Sequence, residues 1–323
     1  MKKPIFFSLL SLGLIFMSAN CSKNNDTPGT DSTSNNGGTD TGSSSGTVDI
    51  SLFNDATNDQ ISITETTKTL SDGSTGEVYK IETTCLPPDH STGPFCPTDT
   101  TQTVGWWDDP GYGTTQINAA YLSYLKNTLG WTIVDASGKV NVDATASGLQ
   151  KARDQEANGW TYDQAVSNGI TNTCIAGVNT AQNRVYYIPK YPKKASSATS
   201  LEDFQFVSGL GISLNGVPFF PTEPVGRIMA YQNIAPLDDE GGHNGFAYDY
   251  HYHRAWDTTY NTSTKISGYA LDGFPVYGEK EPDGSTPADL DASQGHEYGS
   301  LGYHYHAQGN KIIGSIAGVY YKQ

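Results

Sequence analysis

The chain has 323 residues, enough for one large domain or two small ones, and a formal net charge of −15 at pH 7. Such an excess of carboxylates argues against nucleic acid as a partner and against an electrostatic hold on anionic lipid. The acidity is compatible with the collection of cations, although solubility alone accounts for most of it.

The N-terminus has the pattern of an export signal. Lys2 and Lys3 precede the apolar run 5–17, which is too short to span a bilayer as a stable helix. Small residues at 18–20 then lead to Cys21, and this order resembles the lipobox of bacterial lipoproteins. The resemblance implies cleavage before Cys21 and a lipid on that cysteine. An ordinary secretory signal is the alternative, and either interpretation exports the chain.

The segment after Cys21 is rich in Asn, Asp, Thr, Gly and Ser and has hardly any apolar side chains. It cannot bury enough surface to offset its chain entropy, which predicts a disordered tether. We therefore expect a signal peptide over 1–20, a tether over 21–47 and a working domain over 48–323. The lipid would anchor the chain on the outer membrane or cell surface, with a net charge of −17 once two lysines leave with the signal peptide.

The sequence pattern of the domain 48–323 is typical of a β protein with a helical segment in its middle. Short β-branched and aromatic runs, separated by turn residues, predict strands at 61–63, 78–81 and 185–188. Apolar spacing predicts helices around 117–125, 145–156 and 162–167. We therefore predict a mainly β fold, an antiparallel sandwich-like domain with a partly helical insertion over 98–175.

Four cysteines are present, and the first is the expected lipid carrier. Cys85 and Cys96 bracket a loop rich in proline and glycine, and exported proteins meet an oxidising compartment. We therefore expect a disulfide between them. Cys174 is then left over as a buried thiol, unless the pairing differs.

Two segments of the C-terminal third match without a gap at an offset of 53 residues. Each has Leu-Asp, three residues, Gly-His, six residues and Tyr-His-Tyr-His, and the copies begin at Leu237 and Leu290. An element with Asn-Gly or Asp-Gly, which predicts a tight hairpin, begins at Leu214 and Leu271. The pattern predicts an internal duplication. The repeat units are approximately 212–253 and 269–306.

The repeated histidines are candidate metal ligands. Alternate side chains of a strand share a face, so His251 and His253 point one way and their tyrosine neighbours the other. Two imidazoles at that spacing can bind one ion, about 2 Å from each nitrogen. His304 and His306 repeat the arrangement. The alternative is a set of tyrosine–histidine ladders that only join strands.

Further donors lie close by in the sequence. Asp249 shares the face of the first histidine pair and offers a carboxylate, but its counterpart in the second copy is Gly302, so an acidic ligand at that position would not be symmetric. His243 and His296, placed on loops, could complete a shell or hydrogen-bond a ligand. His90 is expected to cap a loop, and a seventh ligand is the alternative. Imidazole-rich sites suit transition metals rather than calcium or magnesium, and we expect copper or zinc.

The chain also resembles the YHYH-domain family, named for the tetrapeptide found here twice. Further parts of the resemblance are residues 88–95, 187–189, 214–220 and 270–278. Related sequences often carry a cysteine shortly before the first Gly-His, where this chain has Glu240 and Gly241. The resemblance implies an exported protein and brings no agreed activity.

Three functions remain open from the sequence. The first is a surface or periplasm-facing lipoprotein that binds a transition-metal ion, either one ion shared by both strands or one in each. The second is a metal-dependent hydrolase or oxidoreductase, with the catalytic residues unknown. Its candidate bases are Asp249, Asp272 and Glu297. The third is a structural or glycan-binding β module. Its candidate stacking residues are Trp106, Trp107 and Trp256.

Overall fold

The computed structural model describes residues 46–53, 60–93, 95–170, 172–176, 180–201, 209–245, 250–254, 265–309 and 311–322. The expected signal peptide, Cys21 and almost all of the tether lie outside these residues, and the lipid anchor stays a prediction. Within the described ranges, no helix is long and apolar enough to cross a membrane.

Strands outnumber helices in the described part of the chain, which confirms the mainly β prediction. The strands are β1 (Ile61–Thr69), β2 (Thr75–Thr83), β3 (Val104–Asp109), β4 (Gly113–Ile117), β5 (Arg184–Pro189), β6 (Lys194–Ser200), β7 (Gly211–Ser213), β8 (Pro218–Phe219), β9 (Gly242–Asn244), β10 (Tyr250–Tyr252), β11 (Ile266–Ala270), β12 (Pro275–Tyr277), β13 (Gly295–Glu297), β14 (Tyr303–His306) and β15 (Ser315–Gly318). The helices are α1 (Ala119–Asn127), α2 (Ala146–Asn158), α3 (Tyr162–Ser167) and α4 (Val225–Ala230).

The largest sheet of the described residues has the strand order β13-β14-β12-β11-β7-β8-β10-β9. This order is symmetric about the antiparallel pair of β7 and β11. On each side a hairpin is followed by the Tyr-His-Tyr-His strand, which pairs in parallel with the second hairpin strand. The Gly-His strand then pairs antiparallel at the outer edge. The two matching segments thus form equivalent halves of one sheet, and an origin by duplication stays a prediction.

Tight turns close both hairpins, as the Asn-Gly and Asp-Gly pairs predict. Gly216 and Gly273 adopt φ of +84° and +83°, a region that glycine enters without steric cost. The parallel pairs next to these hairpins are the departure from the antiparallel prediction. They arise because the long connection after each hairpin lets the following strand return in the same direction.

A smaller sheet, β1-β2-β5, shares its hydrophobic core with the large sheet. Ile81 and Ile188 come from the small sheet, whereas Ile212, Phe274 and Tyr305 come from the large one, and all five are fully or almost fully buried. The two sheets therefore enclose one apolar layer, as in the sandwich-like arrangement expected from the sequence.

The insertion lies between β2 and β5 and carries the hairpin β3–β4 and helices α1 to α3. Each helix has a polar N-cap whose side chain accepts from backbone N–H groups near the start. The caps are Asn118, Thr145 and Thr161. Helix α4, outside the insertion, was not predicted. It has six residues and no side-chain cap at Pro224, so its sequence carries no start signal.

The predicted disulfide between Cys85 and Cys96 is wrong. Cys96 pairs with Cys174, with Cα atoms 5.9 Å apart, and Cys85 is a buried thiol. Closeness along the chain favoured Cys85, but the insertion returns Cys174 to the body, where it forms a β-bridge with Ile234. The bond therefore joins the two ends of the insertion.

Candidate metal centres

Each Tyr-His-Tyr-His strand lies beside its Gly-His strand in a register that brings histidines together. His251 lies directly opposite His243, and His304 lies opposite His296. The two Gly-His histidines therefore stand on the short strands β9 and β13, and their predicted placement on loops is wrong. The last histidine of each tetrapeptide completes a group of three imidazoles.

The two groups are far apart. Four strands separate β14 from β10 in the sheet, which at about 4.8 Å per strand step gives a distance of roughly 24 Å. One ion cannot be shared across that distance, so each half of the sheet has its own candidate site. The N-terminal site consists of Glu223, His243, His251 and His253, and the C-terminal site of Glu281, His296, His304 and His306.

In the C-terminal site the four side chains converge on one point. The Nε2 atoms of His304 and His306 lie 3.0 Å apart. Glu281 places one carboxylate oxygen 2.7 Å from His296 Nε2 and 3.2 Å from His306 Nε2, and the other 3.3 Å from His304 Nε2. Two nitrogens bound tetrahedrally to one zinc ion at ~2.0–2.1 Å would lie ~3.3 Å apart. The donor spacing thus fits a single small cation.

The N-terminal site has the same three imidazoles but a different carboxylate. His253 Nε2 lies 3.0 Å from His251 Nε2 and 3.2 Å from His243 Nε2. Glu223 contacts His253 Nε2 and lies 3.4 Å from His243 Nε2. The three histidines form a compact set of potential ligands, which Glu223 approaches from one side. An ion here would have three nitrogen ligands and an acidic neighbour.

The contacts of the Nδ1 atoms, which point away from the centre of the site, indicate which ring nitrogen carries the proton. Nδ1 of His306 lies 2.8 Å from the Gly278 carbonyl, and Nδ1 of His304 lies 3.1 Å from the Gly302 carbonyl. A carbonyl only accepts, so each Nδ1 donates and each neutral ring keeps a bare lone pair on Nε2. Two lone pairs facing each other at 3.0 Å repel unless a cation lies between them. Metal-binding histidines are held in this way.

The N-terminal site repeats this support at an equivalent position. His253 Nδ1 contacts the carbonyl of Pro221, which corresponds to Gly278 in the aligned hairpins. Phe220 stacks on the His251 ring at a centroid distance of 4.1 Å, and its counterpart Tyr277 packs edge-on to His304. The hairpin of each unit thus orients the imidazoles of its site.

Two buried atoms of the C-terminal site, His296 Nε2 and Glu281 Oε1, lack a hydrogen-bond partner in the part of the chain that the structure describes. They lie 2.7 Å apart, which is a hydrogen-bond distance, but the angle at the contact is not that of a hydrogen bond. An unsatisfied buried polar atom costs about 1–3 kcal/mol. A cation at the centre of the site would satisfy both atoms.

The two sites differ in their electrostatics. Burial lowers the pKa of His304 and of His306, so both rings are neutral and ready to bind a cation. At His253 burial also acts to lower the pKa, but the Glu223 carboxylate outweighs it and raises the pKa. Burial acts to raise the pKa of Glu223, yet the charges on His253 and His243 hold it well below its usual value. At the N-terminal site, protons and metal therefore compete.

Tyrosines support both sites from the opposite face of the strand. The Tyr250 hydroxyl donates to Asp238, whose other oxygen accepts from the Gly242 amide at 2.9 Å. A Cβ at Gly242 would collide with that hydroxyl. These contacts explain the Leu-Asp, Gly-His and Tyr spacing of the repeat. The corresponding residues are Tyr303, Asp291 and Gly295.

Each candidate site has a glutamate that the sequence did not lead us to expect. Asp249 lies outside the described residues. Glu223 and Glu281 were missed because a one-residue length difference after the hairpins aligns Glu223 with Lys280. The available signal was an acid three residues after Phe220 and four after Tyr277, close behind the hairpin in both copies.

Other candidates lie elsewhere. Asp272 accepts from the Tyr305 hydroxyl at 2.5 Å and from the Gly318 amide at 2.8 Å, and belongs to the tyrosine support rather than to a site. Glu297 is exposed. His90 contacts the Tyr250 hydroxyl at 2.9 Å and belongs to neither site.

Trp106 and Trp107 do not form an open stacking surface. Trp107 is 1% exposed and lies in the core of the insertion. Trp106 is partly buried and its indole N–H donates to Asp239 at 2.8 Å. Trp256 lies outside the described residues. The described part of the chain thus gives the glycan-binding alternative little support.

Residues 185–289 match the family model described as YHYH protein. The match covers the N-terminal half of the large sheet and ends before the second Tyr-His-Tyr-His. No curated protein and no solved structure matches the chain. Residues 185–289, which contain the first copy of the tetrapeptide, are thus similar to the YHYH protein family.

Proposed function

We propose that this protein binds two transition-metal ions, one in each half of the large sheet, and sequesters or delivers them. The observation that carries the proposal is the pair of Nε2 atoms 3.0 Å apart in each site. In three of these four rings, those of His253, His304 and His306, Nδ1 faces a carbonyl oxygen. Three imidazoles with a carboxylate suit zinc and copper, and copper ranks first in divalent affinity. Calcium and magnesium prefer all-oxygen sites.

The proposal includes a location. A lipid on Cys21 and a flexible tether would place the domain outside the cytoplasm, on the outer membrane or cell surface. Ions arriving from outside would meet it there before they reach the cell interior. Radiolabelled palmitate incorporation, with Cys21→Ser as the control, tests the anchor independently of the metal sites.

Metal stoichiometry tests the central part of the proposal. We expect the purified chain, loaded with Zn(II) or Cu(II) and desalted, to hold two ions by elemental analysis. The double variants His251→Ala/His253→Ala and His304→Ala/His306→Ala should each hold one. His90→Ala, outside both sites, should hold two. A chain without stoichiometric metal, whose histidine variants fold as the parent does, would contradict the proposal.

A metal-dependent hydrolase or oxidoreductase is the second candidate, and the N-terminal site favours it. Three histidines with a carboxylate to one side resemble catalytic metal sites, in which a fourth position takes water or substrate. We expect turnover of activated ester or phosphoester substrates by the loaded protein to fall in Glu223→Gln while its ion content stays at two. Equal background hydrolysis by both proteins would remove this candidate.

A further inference from the structure

A surface cleft of about 630 Å³ lies beside the N-terminal site. One wall is the β3–β4 turn of the insertion, with Asp108 and Thr114 among its residues. The other wall runs from Glu223 into α4, with Gly226 and Arg227. The site's own carboxylate is thus part of the cleft surface, and the insertion supplies the facing wall.

The insertion is fixed to this half of the sheet next to the histidines. Trp106 of β3 and Leu237 exchange backbone hydrogen bonds of 2.5 and 2.8 Å, five residues before Gly242. Asp108 forms an ion pair with Arg254, the residue that follows His253. The wall of the cleft is therefore tied on both sides to the segments that carry the ligands.

The C-terminal site is closed by comparison. The Glu281 side chain is 1% exposed and contacts all three imidazoles, whereas the Glu223 side chain is 11% exposed and contacts two. His304 and His306 are fully buried and His296 is 6% exposed, whereas the three N-terminal histidines are 2–4% exposed, so the difference in access lies at the glutamates. A cation held against the buried Glu281 would leave this site through local opening of the structure.

The ligands themselves differ in how firmly they are held. In the C-terminal site, Nδ1 of His296 contacts the Asp289 carboxylate at 2.6 Å. In the N-terminal site, the Nδ1 atom of the corresponding His243 is buried and has no hydrogen-bond partner among the described residues. A ligand ring without this second contact is less well oriented, and loss of such a contact weakens metal binding.

We propose that the insertion makes the N-terminal site the exchange site of the protein: a divalent transition-metal ion enters and leaves through the cleft past Glu223, while the C-terminal site retains its ion as part of the fold. The inference rests on the proposed two-ion function and assigns different roles to the two sites. Glu223 is a carboxylate that an incoming cation meets in the cleft, ahead of the three imidazoles.

Release kinetics test the inference. The two-ion Zn(II) protein is mixed with excess 4-(2-pyridylazo)resorcinol, whose absorbance reports released zinc. We expect two phases of one ion each, with rates that differ by about tenfold or more, because release from the closed site requires local opening. His251→Ala/His253→Ala should remove the fast phase, and His304→Ala/His306→Ala the slow phase.

A substitution in the cleft separates the effect of access to the N-terminal site from the effect of its metal affinity. A Cβ at Gly226 meets no atom within 4 Å, so a larger side chain can start there without a clash at its first carbon. Gly226→Phe should slow the fast phase and leave the slow phase unchanged, with Gly226→Ala as the size control. Two ions released at one common rate, or a fast phase that disappears with the C-terminal double variant, would overturn the inference while leaving two-ion binding intact. A chain that binds no ion would instead overturn the proposed function.

Discussion

The two halves of the large sheet carry the same strand pairings and the same histidine tetrapeptide, yet their sites differ. In both halves, a cross-strand histidine pair and a third imidazole lie close together. Nδ1 of the third imidazole contacts the carbonyl of the residue that follows the hairpin. The C-terminal site has a fully buried glutamate in contact with all three rings, whereas the N-terminal glutamate faces a cleft formed with the insertion. The repeated sequence thus sets the ligand geometry, and the flanking segments set access and charge.

Loss of the disulfide should have the largest effect on stability and should change the zinc affinity of only one of the two sites. The bond closes a loop with a sequence separation of 78 residues, which in the chain-entropy model stabilises the fold by about 4 to 5 kcal/mol. We expect Cys96→Ser/Cys174→Ser to lower the free energy of unfolding in urea by that order. Zinc affinity should fall at the N-terminal site alone, since the insertion lies against that half. Equal weakening of both sites would show that the insertion does not govern this difference.

The effect of pH on stability should distinguish the two halves, because they differ at the residue that follows the hairpin leucine. This residue is Asp272 in one half and Asn215 in the other. Burial raises the pKa of Asp272 to about 6, against a value near 3.8 for an exposed carboxyl. The folded state therefore favours the neutral acid. Its contribution to stability is fully present below about pH 4 and is lost as the pH rises through about 6, by as much as ~3 kcal/mol.

Asn215 occupies the equivalent position in the other half and does not titrate, which shows that the turn accommodates an amide. We expect Asp272→Asn to flatten the decline in metal-free protein, measured by urea unfolding at a series of pH values with a chelator present. Parallel curves for parent and variant between pH 4 and 7 would contradict the account.

Substitution of the glycine before each edge histidine should have a moderate and local effect. A Cβ at Gly242 or Gly295 would collide with the hydroxyl of Tyr250 or Tyr303 and displace it from its aspartate. We expect each Gly→Ala variant to lose about 1–3 kcal/mol of stability and to weaken zinc about tenfold at its own site. Competition titration of the remaining site supplies the internal reference. A change in affinity at the remote site would contradict independent sites.

The sequence predicts the repeated architecture well because its signals are local. Asn-Gly and Asp-Gly turns, alternation of Tyr and His, and polar N-caps such as Thr145 each act over a few residues. The helices of the insertion therefore begin within two residues of their predicted starts. Helix α4 has no such signal and was missed.

The features that sequence alone does not predict depend on distant contacts. The Cys96–Cys174 pairing requires knowledge of where the insertion returns. The separation of the sites follows from strand order, which places β7 against β11 and sends each histidine strand outward. Glu223 and Glu281 fall at unequal distances from their hairpins, so the chain reaches each site by a different local path.

The positions of metal ions in a crystal of the loaded chain test the two-site proposal most directly. Anomalous diffraction at the absorption edge of zinc or copper should show two peaks per molecule. One should lie among the Nε2 atoms of His243, His251 and His253, and the other among those of His296, His304 and His306. A loaded crystal with no peak at either position, or with one peak bound by residues outside these groups, would contradict the central claim.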